Sequence, residues 1–504
     1  MAVVSRLLTA RAREQPTSAA FVAGADGRSL TWSELASHAE IWRAARRATS
    51  LPARARIGLV ATDPLAFTAA YLGILAAGLT AVPLDPRLTE SELSNSISRL
   101  RVDVVATDSP DEFDAETELW SLTHVGPLPV RPAALSARPS DGAAIRPAVL
   151  LASSGTTGAP KGIPLSEWQL THAARRVARH HGFGPDQRGY TPLPLFHVNA
   201  QVMGLLANVV SGASLVVDRR FDVHAYWERV EQWRPTWLNA VPAILASLVA
   251  APAPSEDVVR GIRFARSASA PLPEHTLRAF AAHTGIGVLE TYGMTEAAGQ
   301  ITANPIEVTA RRVGTVGRPV GIGLAVLDHD GRPAAPGQEG MVALRGRQVI
   351  SHYLDLSADV AERARSARDA NGWLPTGDLG VRDEAGFVRL SGRADDVIHR
   401  GGEKIHPLEI ENVLLGHPAV RSAAVVGAPH ERLGQVAAAF VTARPGSRAE
   451  DLARDLHELC ARELTRYKRP TTIEVTAELP TGPTGKVLRR ALRAELATTA
   501  GGAR

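Results

Sequence analysis

The chain has 504 residues, 45% of them hydrophobic and 21% charged, a balance that is typical of an ordinary globular protein with a large core. The formal net charge is +4 and no long run of like charges occurs, so no nucleic-acid partner is predicted. A single cysteine, Cys460, excludes an intramolecular disulfide and any metal site built from paired cysteines.

Two segments near the N-terminus have some features of an export signal or a membrane span, but their composition argues against both. Residues 1–14 carry three arginines and lack a continuous apolar stretch, so export is not expected and a cytoplasmic location is predicted. Residues 64–84 are uncharged and long enough to cross a bilayer, but glycines and a proline interrupt them. They are better explained as a buried helix that leads into a strand, and no membrane partner is predicted.

Short apolar runs alternate with longer helical stretches along most of the chain. Residues 103–106 and 213–217 have the composition of buried strands, whereas residues 274–284 have that of a helix, as in repeated βαβ units. From residue 371 onward turns and short strands dominate, and residues 407–414 begin a compact α+β segment. The pattern predicts an α/β protein with an N-terminal domain over 1–393 and a smaller C-terminal domain over 394–504.

The strongest local signal follows the apolar run 148–151, in a window rich in glycine and hydroxyl side chains. Its candidate phosphate-binding residues are Ser153, Ser154, Gly155, Thr156, Thr157, Gly158 and Lys161. Glycines let backbone N–H groups approach phosphate oxygens, and hydroxyls and a lysine add further donors. A flexible linker has a similar composition but seldom follows a buried strand. A Walker A loop needs Gly-Lys-Ser/Thr, whereas Pro160 precedes and Gly162 follows the lysine here, which excludes an ordinary P-loop.

Four further clusters follow, and each is weak evidence alone. Residues 290–296 combine an aromatic ring, hydroxyls and carboxylates that suit base stacking, phosphate contact and Mg²⁺ binding. Residues 373–378 end in a carboxylate that can accept hydrogen bonds from ribose hydroxyls or serve only as a turn residue. Residues 392–405 form a hairpin-like run of alternating charge, and residues 479–486 end in a lysine within a Gly/Pro loop, which in most proteins is only a surface charge.

Taken in order, these five clusters resemble those of the adenylate-forming superfamily, which includes acyl-CoA synthetases, firefly-type luciferases and peptide-synthetase adenylation domains. The resemblance runs from Leu30-Thr31-Trp32 to Lys486 and so covers nearly the whole chain. It implies a large N-terminal domain of mixed sheets flanked by helices, followed by a small mobile α+β domain.

The resemblance also implies roles for individual residues. The glycine loop would hold the β- and γ-phosphates, Thr295 would contact the α-phosphate, and Glu296 would bind Mg²⁺. Lys486 would bridge the carboxylate and the α-phosphate, and Asp395 matches the hinge about which the small domain turns. The remaining nucleotide-binding and CoA-binding positions implied are Ser269, Ala270, Glu290, Thr291, Tyr292, Asp378, Arg393, Gly402 and Lys404.

The acid pocket is indicated by Phe196-His197-Val198, where His197 is expected near the carboxylate or the thiol channel, although a core histidine is the alternative. Asn199 and Gln201 can hydrogen-bond a polar group of the acid or cap a helix. Gly293 and Met294 are expected in the same pocket. Residues 297–299 follow Glu296 where oxalate and malonate ligases often carry a histidine, which argues against a clamp for a second carboxylate.

The predicted function is the ATP- and Mg²⁺-dependent activation of a small-molecule carboxylic acid as acyl-AMP, followed by transfer to CoA. Transfer to a carrier protein, an amine or another nucleophile is the alternative within the class. An inactive nucleotide-binding scaffold or sensor is the alternative from a different class, although Glu296 and Lys486, whose loss would mark one, are both present. A monomer or a homodimer is expected.

Overall fold

The computed structural model describes residues 2–113, 119–123, 126–131, 147–152, 161–356, 364–444, 448–482 and 487–501, with the backbone alone for 128–131 and 497–501. Two of the predicted site elements lie outside the described residues. They are the glycine loop (Ser153, Ser154, Gly155, Thr156, Thr157 and Gly158) and Lys486.

Sheet I is a nine-stranded sheet with a parallel centre; its strands, like all elements here, are numbered in chain order. It contains β1 (Ala19–Ala23), β2 (Ser29–Thr31), β10 (Arg188–Thr191), β11 (Ser214–Val217), β12 (Trp237–Ala240), β13 (Phe264–Ser267), β14 (Val288–Met294), β15 (Gly299–Ala303) and β16 (Arg318–Pro319). The spatial order is β16-β15-β14-β13-β12-β10-β11-β1-β2, parallel from β14 to β1 and antiparallel at both edges.

Sheet II also has nine strands. It contains β3 (Arg56–Val60), β4 (Thr80–Pro83), β5 (Val104–Thr107), β6 (Leu119–Thr123), β7 (Gly126–Arg131), β8 (Val149–Ala152), β9 (Lys161–Leu165), β19 (His352–Asp355) and β20 (Ala364–Ser366). The order is β20-β19-β9-β8-β4-β3-β5-β6-β7, with a parallel centre from β8 to β6. Parallel strands are covered on both faces, which explains the unbroken apolar runs seen in the sequence.

Two smaller sheets complete the fold. Sheet III is antiparallel and contains β17 (Gly323–Leu327), β18 (Glu339–Arg345), β21 (Leu374–Arg382) and β22 (Val388–Arg393). Sheet IV contains β23 (Ile398–Arg400), β24 (Glu403–Ile405), β25 (Val420–His430), β26 (Gly434–Ala443) and β27 (Thr472–Thr476). Sheet IV and its helices have their own hydrophobic cluster, whose buried members all lie between residues 398 and 473.

The α-helices cover the sheets. They are α1 (Val3–Glu14), α2 (Trp32–Ala48), α3 (Pro64–Ala76), α4 (Glu90–Arg99), α5 (Glu167–His181), α6 (Ala207–Ser211), α7 (Tyr226–Trp233), α8 (Pro242–Val249), α9 (Glu256–Val259), α10 (Glu274–Thr284), α11 (Pro407–Leu415), α12 (Ala449–Glu463) and α13 (Arg489–Gly501). A π-helix, Ala200–Leu206, precedes α6. Short 3₁₀-helices occupy Pro110–Glu112, Thr295–Ala297, Val308–Ala310, Ala394–Asp396 and Arg466–Lys468.

Helix α3 explains the uncharged stretch 64–84. Asp63 caps its N-terminus by accepting hydrogen bonds from the backbone N–H groups of Leu65 and Ala66, and Pro64 occupies the first turn. The helix contacts strands of both sheet I and sheet II, so it is buried on nearly every side and then leads into β4. The predicted buried helix is confirmed. Within the described residues, no helix is both long enough and apolar enough to cross a membrane.

Helix α5 begins with a capping box directly after β9. Ser166 and Gln169 form a capping box, in which the serine hydroxyl accepts from the Gln169 N–H at 3.2 Å and the glutamine side chain accepts from the Ser166 N–H at 2.9 Å. The Leu165-Ser166-Glu167-Trp168 sequence therefore serves to begin a helix directly after β9.

Candidate functional site

Strand β14 ends in the candidate site and is held close to its neighbour β15. Gly293 pairs with Gln300, and a Cβ atom at Gly293 would lie 2.3 Å from the Gly299 carbonyl oxygen, so only glycine fits there. The strand then turns into the 3₁₀-helix that carries Thr295 and Glu296. The close pairing of β14 with β15 therefore positions the backbone of Thr295 and Glu296.

Tyr292, Asp378 and Arg393 form one polar group although they come from β14, β21 and β22. The Tyr292 hydroxyl donates to Asp378 Oδ2 at 2.5 Å, and Arg393 Nη1 donates to Asp378 Oδ1 at 3.1 Å and to the Thr376 carbonyl at 2.8 Å. Asp378 and Arg393 are direct partners across the antiparallel pair β21–β22. Burial, together with the neighbouring Asp378 carboxylate, raises the pKa of Tyr292, so its hydroxyl stays protonated and can donate.

Glu296 forms no ion pair among the described residues, although the charge of Arg393 also acts on it. Its Oε1 accepts a hydrogen bond from the Tyr353 hydroxyl at 3.1 Å, and the Lys161 ammonium lies 5.2 Å from the centre of the Tyr353 ring. Burial raises the pKa of Glu296, because desolvation penalises its charged form. A divalent cation would compensate this charge, so the donor chemistry at Glu296 fits Mg²⁺.

Glu290 and Thr291 lie deeper in β14. Glu290 is 8% exposed, its Oε2 has no hydrogen-bond partner among the described residues, and burial raises its pKa to about 8. The Thr291 hydroxyl donates to the Ser267 carbonyl at 3.3 Å, which links β14 to the end of β13. These contacts give both residues a part in shaping the strand, and their predicted contact with nucleotide stays a prediction.

A separate group of predicted residues surrounds a cavity of about 860 Å³, and Phe196, His197, Asn199 and Ser269 are among its lining residues. The His197 ring packs 4.4 Å from the Phe196 ring, centre to centre, and the Arg87 guanidinium lies 5.6 Å from the centre of the Phe196 ring. The aromatic and histidine side chains predicted for the acid pocket therefore line one cavity.

Asn199 does not use its side chain to cap a helix, which was one of its two expected uses. No capping hydrogen bond is present at the start of the π-helix; instead Asn199 Nδ2 donates to Ser269 Oγ at 3.0 Å and Asn199 Oδ1 accepts from Arg266 Nη1 at 2.9 Å. Ser269 has a left-handed backbone with φ of 74°, an uncommon state for a residue with a side chain. Asn199 thus joins the Ser269 turn to the interior of sheet I.

Other predicted pocket residues lie away from this cavity lining. Gln201 is fully buried and its amide donates to the Phe196 carbonyl at 2.9 Å, so it supports the Phe196 turn from inside. Met294 packs half-buried against the main core, and neither it nor Gly293 lines the cavity. Ala270 is half-buried in the turn after β13. The substrate roles of Gln201, Gly293 and Met294 stay predictions.

The predicted hinge residue Asp395 lies in the 3₁₀-helix Ala394–Asp396, between sheet III and sheet IV. Gly402 has a φ of 92° at the tip of the β23–β24 hairpin, and Lys404 is exposed on β24. The hairpin predicted from the charge pattern of 392–405 is therefore present. The domain boundary at 393/394 and the hinge itself stay predictions.

Three residues of the site were not predicted from the sequence. Tyr353 contacts Glu296, whereas Arg266 and Asn239 hydrogen-bond below Asn199, with Arg266 Nη1 donating to Asn239 Oδ1 at 3.1 Å. A signal existed for Arg266, because it is a charged residue inside the short buried strand Phe264–Ser267. No local pattern marks Tyr353 or Asn239.

The fold and these grouped side chains are typical of a nucleotide-dependent ligase, with an aromatic ring in contact with a carboxylate–guanidinium pair and a candidate Mg²⁺ ligand directly after the same strand. Two family models match the chain, AMP-binding enzyme over residues 8–354 and AMP-binding enzyme C-terminal domain over residues 409–486.

Relatives and solved structures agree with these matches. A sulfoacetate–CoA ligase of Cupriavidus necator is 37% identical over a 502-residue alignment that covers 96% of this chain and 96% of its own. An oxalate–CoA ligase of Arabidopsis thaliana is 31% identical over 86% of this chain and 87% of its own. The o-succinylbenzoate CoA synthetase MenE of Bacillus subtilis, solved with the acyl-adenylate intermediate OSB-AMP, matches with a TM-score of 0.81 at 27% identity over 97% of each chain.

The chain belongs to the AMP-binding enzyme family. The predicted superfamily, the α/β fold with a small C-terminal domain, and the class of AMP-forming acid–thiol ligase are confirmed. Such an enzyme uses ATP and CoA as co-substrates and passes through an acyl-adenylate.

Proposed function

We propose that the chain activates a compact, polar carboxylic acid as acyl-AMP and passes it to CoA, with the residues named above in defined roles. The observation that carries the proposal is the contact of Tyr292 and Arg393 with one carboxylate, Asp378. Tyr292 offers a ring face for adenine, and Asp378 offers acceptor oxygens for the ribose hydroxyls. Ser269 and Ala270 border the base, with Glu290 and Thr291 behind them.

The first half-reaction needs positive charge around the phosphates. Thr295 contacts the α-phosphate, Glu296 holds Mg²⁺, and Lys161 with residues 153–158 binds the outer phosphates. Mg²⁺ supplies charge neutralisation on the triphosphate. Lys486 stabilises the negative charge that develops as the acid's carboxylate attacks the α-phosphate and pyrophosphate leaves.

The second half-reaction uses a different face of the small domain. Rotation about Asp395 removes Lys486 and brings the hairpin that carries Gly402 and Lys404 toward the acyl-adenylate. Gly402 has a positive φ, and among the described residues no neighbouring atom lies within 4 Å of the position that a Cβ atom would take, so the hairpin tip leaves room for an extended pantetheine. The CoA sulfur then attacks the acyl carbon and AMP leaves.

The chemistry of the pocket supports a compact, polar acid. His197, Asn199 and several charged side chains lie among the apolar residues that line the cavity, so a polar group of the acid can find partners there. The acids in the names of the relatives above, sulfoacetate, oxalate and o-succinylbenzoate, each carry a further acidic group. A cytoplasmic location, and a monomer or homodimer, remain part of the proposal, and a carrier protein remains the alternative acceptor.

The test mixes the enzyme with Mg²⁺-ATP and a panel of small, aromatic and fatty acids, with and without CoA, and measures pyrophosphate release and acyl-CoA. We expect pyrophosphate with at least one compact polar acid and acyl-CoA when CoA is added. A protein that releases no pyrophosphate with any acid would be an inactive nucleotide-binding scaffold, and the proposal would be wrong.

The role of Asp378 is tested by Asp378→Asn. The amide keeps the shape but loses the charge that holds Arg393, which is worth about 1.5–3 kcal/mol, so we expect the KM for ATP to rise about 10- to 100-fold. Asp383→Asn is the matched control, because Asp383 lies in a surface turn of the same sheet and pairs with Arg312. An equal effect of both substitutions would contradict the ribose role.

A further inference from the structure

Arg266 is a buried arginine in the middle of the parallel part of sheet I. It is 3% exposed on β13 and lies directly opposite Asn239 of β12. Its Nη1 donates to the side-chain oxygens of Asn199 and Asn239, at 2.9 and 3.1 Å, and Asn239 in turn donates to the Thr191 hydroxyl at 3.2 Å. The guanidinium is therefore held in place by neutral amides.

The partners of this guanidinium are incomplete. Arg266 Nε is buried and has no hydrogen-bond partner among the described residues, and no ion pair to Arg266 occurs in the part of the chain that the structure describes. Burial lowers the pKa of Arg266 to about 9 because the charged form is desolvated. A buried charge without a counter-charge costs several kcal/mol, so folding alone would favour an apolar residue here, like neighbouring Phe264.

Arg266 does not itself line the acid cavity, but it lies one hydrogen bond behind a lining residue, Asn199. Asn199 lines the cavity, contacts Arg266 through Oδ1, and contacts Ser269, another lining residue, through Nδ2. Two hydrogen bonds of 3.0 and 2.9 Å joined by one carboxamide put Ser269 Oγ and Arg266 Nη1 at most about 8 Å apart. The cavity is also basic, since its charged lining residues are Arg87, Arg219, Arg220, Arg229, Asp218 and Asp222.

We infer that Arg266 binds a second anionic group of the acid, so that the enzyme selects short carboxylic acids that carry an additional carboxylate or sulfonate. The inference deepens the proposed function and rests on it. The second group of the acid accepts from the guanidinium and supplies the missing counter-charge, with Asn199 beside it, while the first carboxylate remains free to attack ATP.

The short separation between Ser269 and Arg266 limits the length of the acid. If the reacting carboxylate lies near Ser269, only a few bonds separate it from a group at Arg266, so acids of two to four carbons fit best. The absence of a histidine after Glu296 argued against a clamp for a second carboxylate at that position. Arg266, which lies within β13, supplies the positive charge in place of such a histidine.

The test compares acids that differ only in the second group. Malonate and sulfoacetate carry a second anion, whereas propionate has a methyl group in its place, and kcat/KM for pyrophosphate release is measured for each. We expect the native enzyme to prefer malonate, sulfoacetate or both over propionate by about 100-fold or more. The larger of the two ratios identifies a carboxylate or a sulfonate as the preferred group.

Substitution of Arg266 should remove this preference and leave nucleotide binding intact. Arg266→Met should reduce the ratio below about 10-fold with the KM for ATP unchanged, and Arg266→Lys should retain part of it. Arg263→Met is the matched control, because Arg263 precedes the same strand but is exposed and bonds Gly182 and Gln187. A partly unfolded variant loses kcat/KM by the same factor with every acid, so the ratio between two acids does not depend on how much of the enzyme is folded.

A second variant tests the inference independently if Arg266→Met folds poorly. Asn199→Asp places a carboxylate 2.9 Å from Arg266, which should occupy the guanidinium and also lower the ratio. Equal rates with malonate, sulfoacetate and propionate, or a ratio that Arg266→Met leaves unchanged, would overturn the inference. If none of the acids supports pyrophosphate release, the proposed function itself is wrong.

Discussion

Replacement of Glu290 by glutamine should change how the stability of the protein depends on pH. Burial raises the pKa of Glu290 from 4.5 to about 8, opposed only by a hydrogen bond from the Leu272 backbone. Between pH 4.5 and 8 the folded state therefore holds a proton that the unfolded state releases. The free energy of unfolding falls as pH rises through this window, and the Glu290 contribution is fully present only below pH 4.5.

The size of the effect follows from the two pKa values. Each tenfold change in the proton equilibrium is worth about 1.4 kcal/mol, so ionisation of Glu290 costs the folded state up to about 5 kcal/mol above pH 8. Glu290→Gln stays neutral at every pH and keeps nearly the same shape. The variant should therefore gain stability relative to the native protein as pH rises, by several degrees in Tm between pH 5.5 and 9.

The measurement is thermal unfolding of both proteins at pH 5.5, 7 and 9, followed by the fluorescence of the eight tryptophans. Other groups titrate equally in both proteins, so the difference in Tm isolates Glu290. A difference that is constant with pH, or that favours the native protein at pH 9, would mean that Glu290 is ionised and paired in the folded state, and the argument would fail.

Two further predictions concern the small domain. Lys486→Ala should lower acyl-AMP formation by about 100-fold or more while thioester formation from supplied acyl-AMP is spared, since only the first half-reaction uses that charge; equal losses in both halves would contradict the assignment. Arg489→Met should destabilise the small domain by about 3–5 kcal/mol, because Glu411 is 5% exposed and Arg489 donates to both of its oxygens, at 2.6 and 2.9 Å. Hydrogen exchange in β25 measures this, and adding Glu411→Gln should restore most of the loss; no recovery would show that the pair is not the cause.

Local structure was predictable wherever the spacing of hydrophobic residues agrees with the residues that mark the start and end of a helix or strand. The helix predicted over 274–284 has those same bounds as α10, and the strand predicted over residues 213–217 is β11, Ser214–Val217. The order of strands was not predictable in the same way. Strand β19 pairs with β9, almost two hundred residues earlier, and no local pattern of hydrophobicity carries such pairing.

The candidate site shows the same difference between residues that the sequence predicts and contacts that it does not. Tyr292, Asp378 and Arg393 were predicted to act together from the family resemblance, and they do lie in contact although the spacing of the residues alone would not have joined them. Asn199 was predicted as a substrate contact or a cap, but its bond to Arg266 was not, because Arg266 belongs to no motif. Motifs predicted the residues that are proposed to bind the nucleotide, whereas the proposed acid contact Arg266 lies inside an ordinary buried strand.

Ser269 is the point at which these two parts meet. Its left-handed backbone, with φ of 74°, lies in the turn that borders the proposed nucleotide site, while its hydroxyl accepts from Asn199 on the acid side. An unusual backbone conformation costs about 1–3 kcal/mol and persists only where contacts hold it, and Asn199 supplies such a contact. Asn199 also contacts Arg266, so one carboxamide lies between this turn and the proposed acid contact. Ser269 is held through Asn199 Nδ2 and Arg266 through Asn199 Oδ1, so the contact that supports the turn does not itself involve Arg266, and the KM for ATP should stay unchanged when Arg266 is replaced.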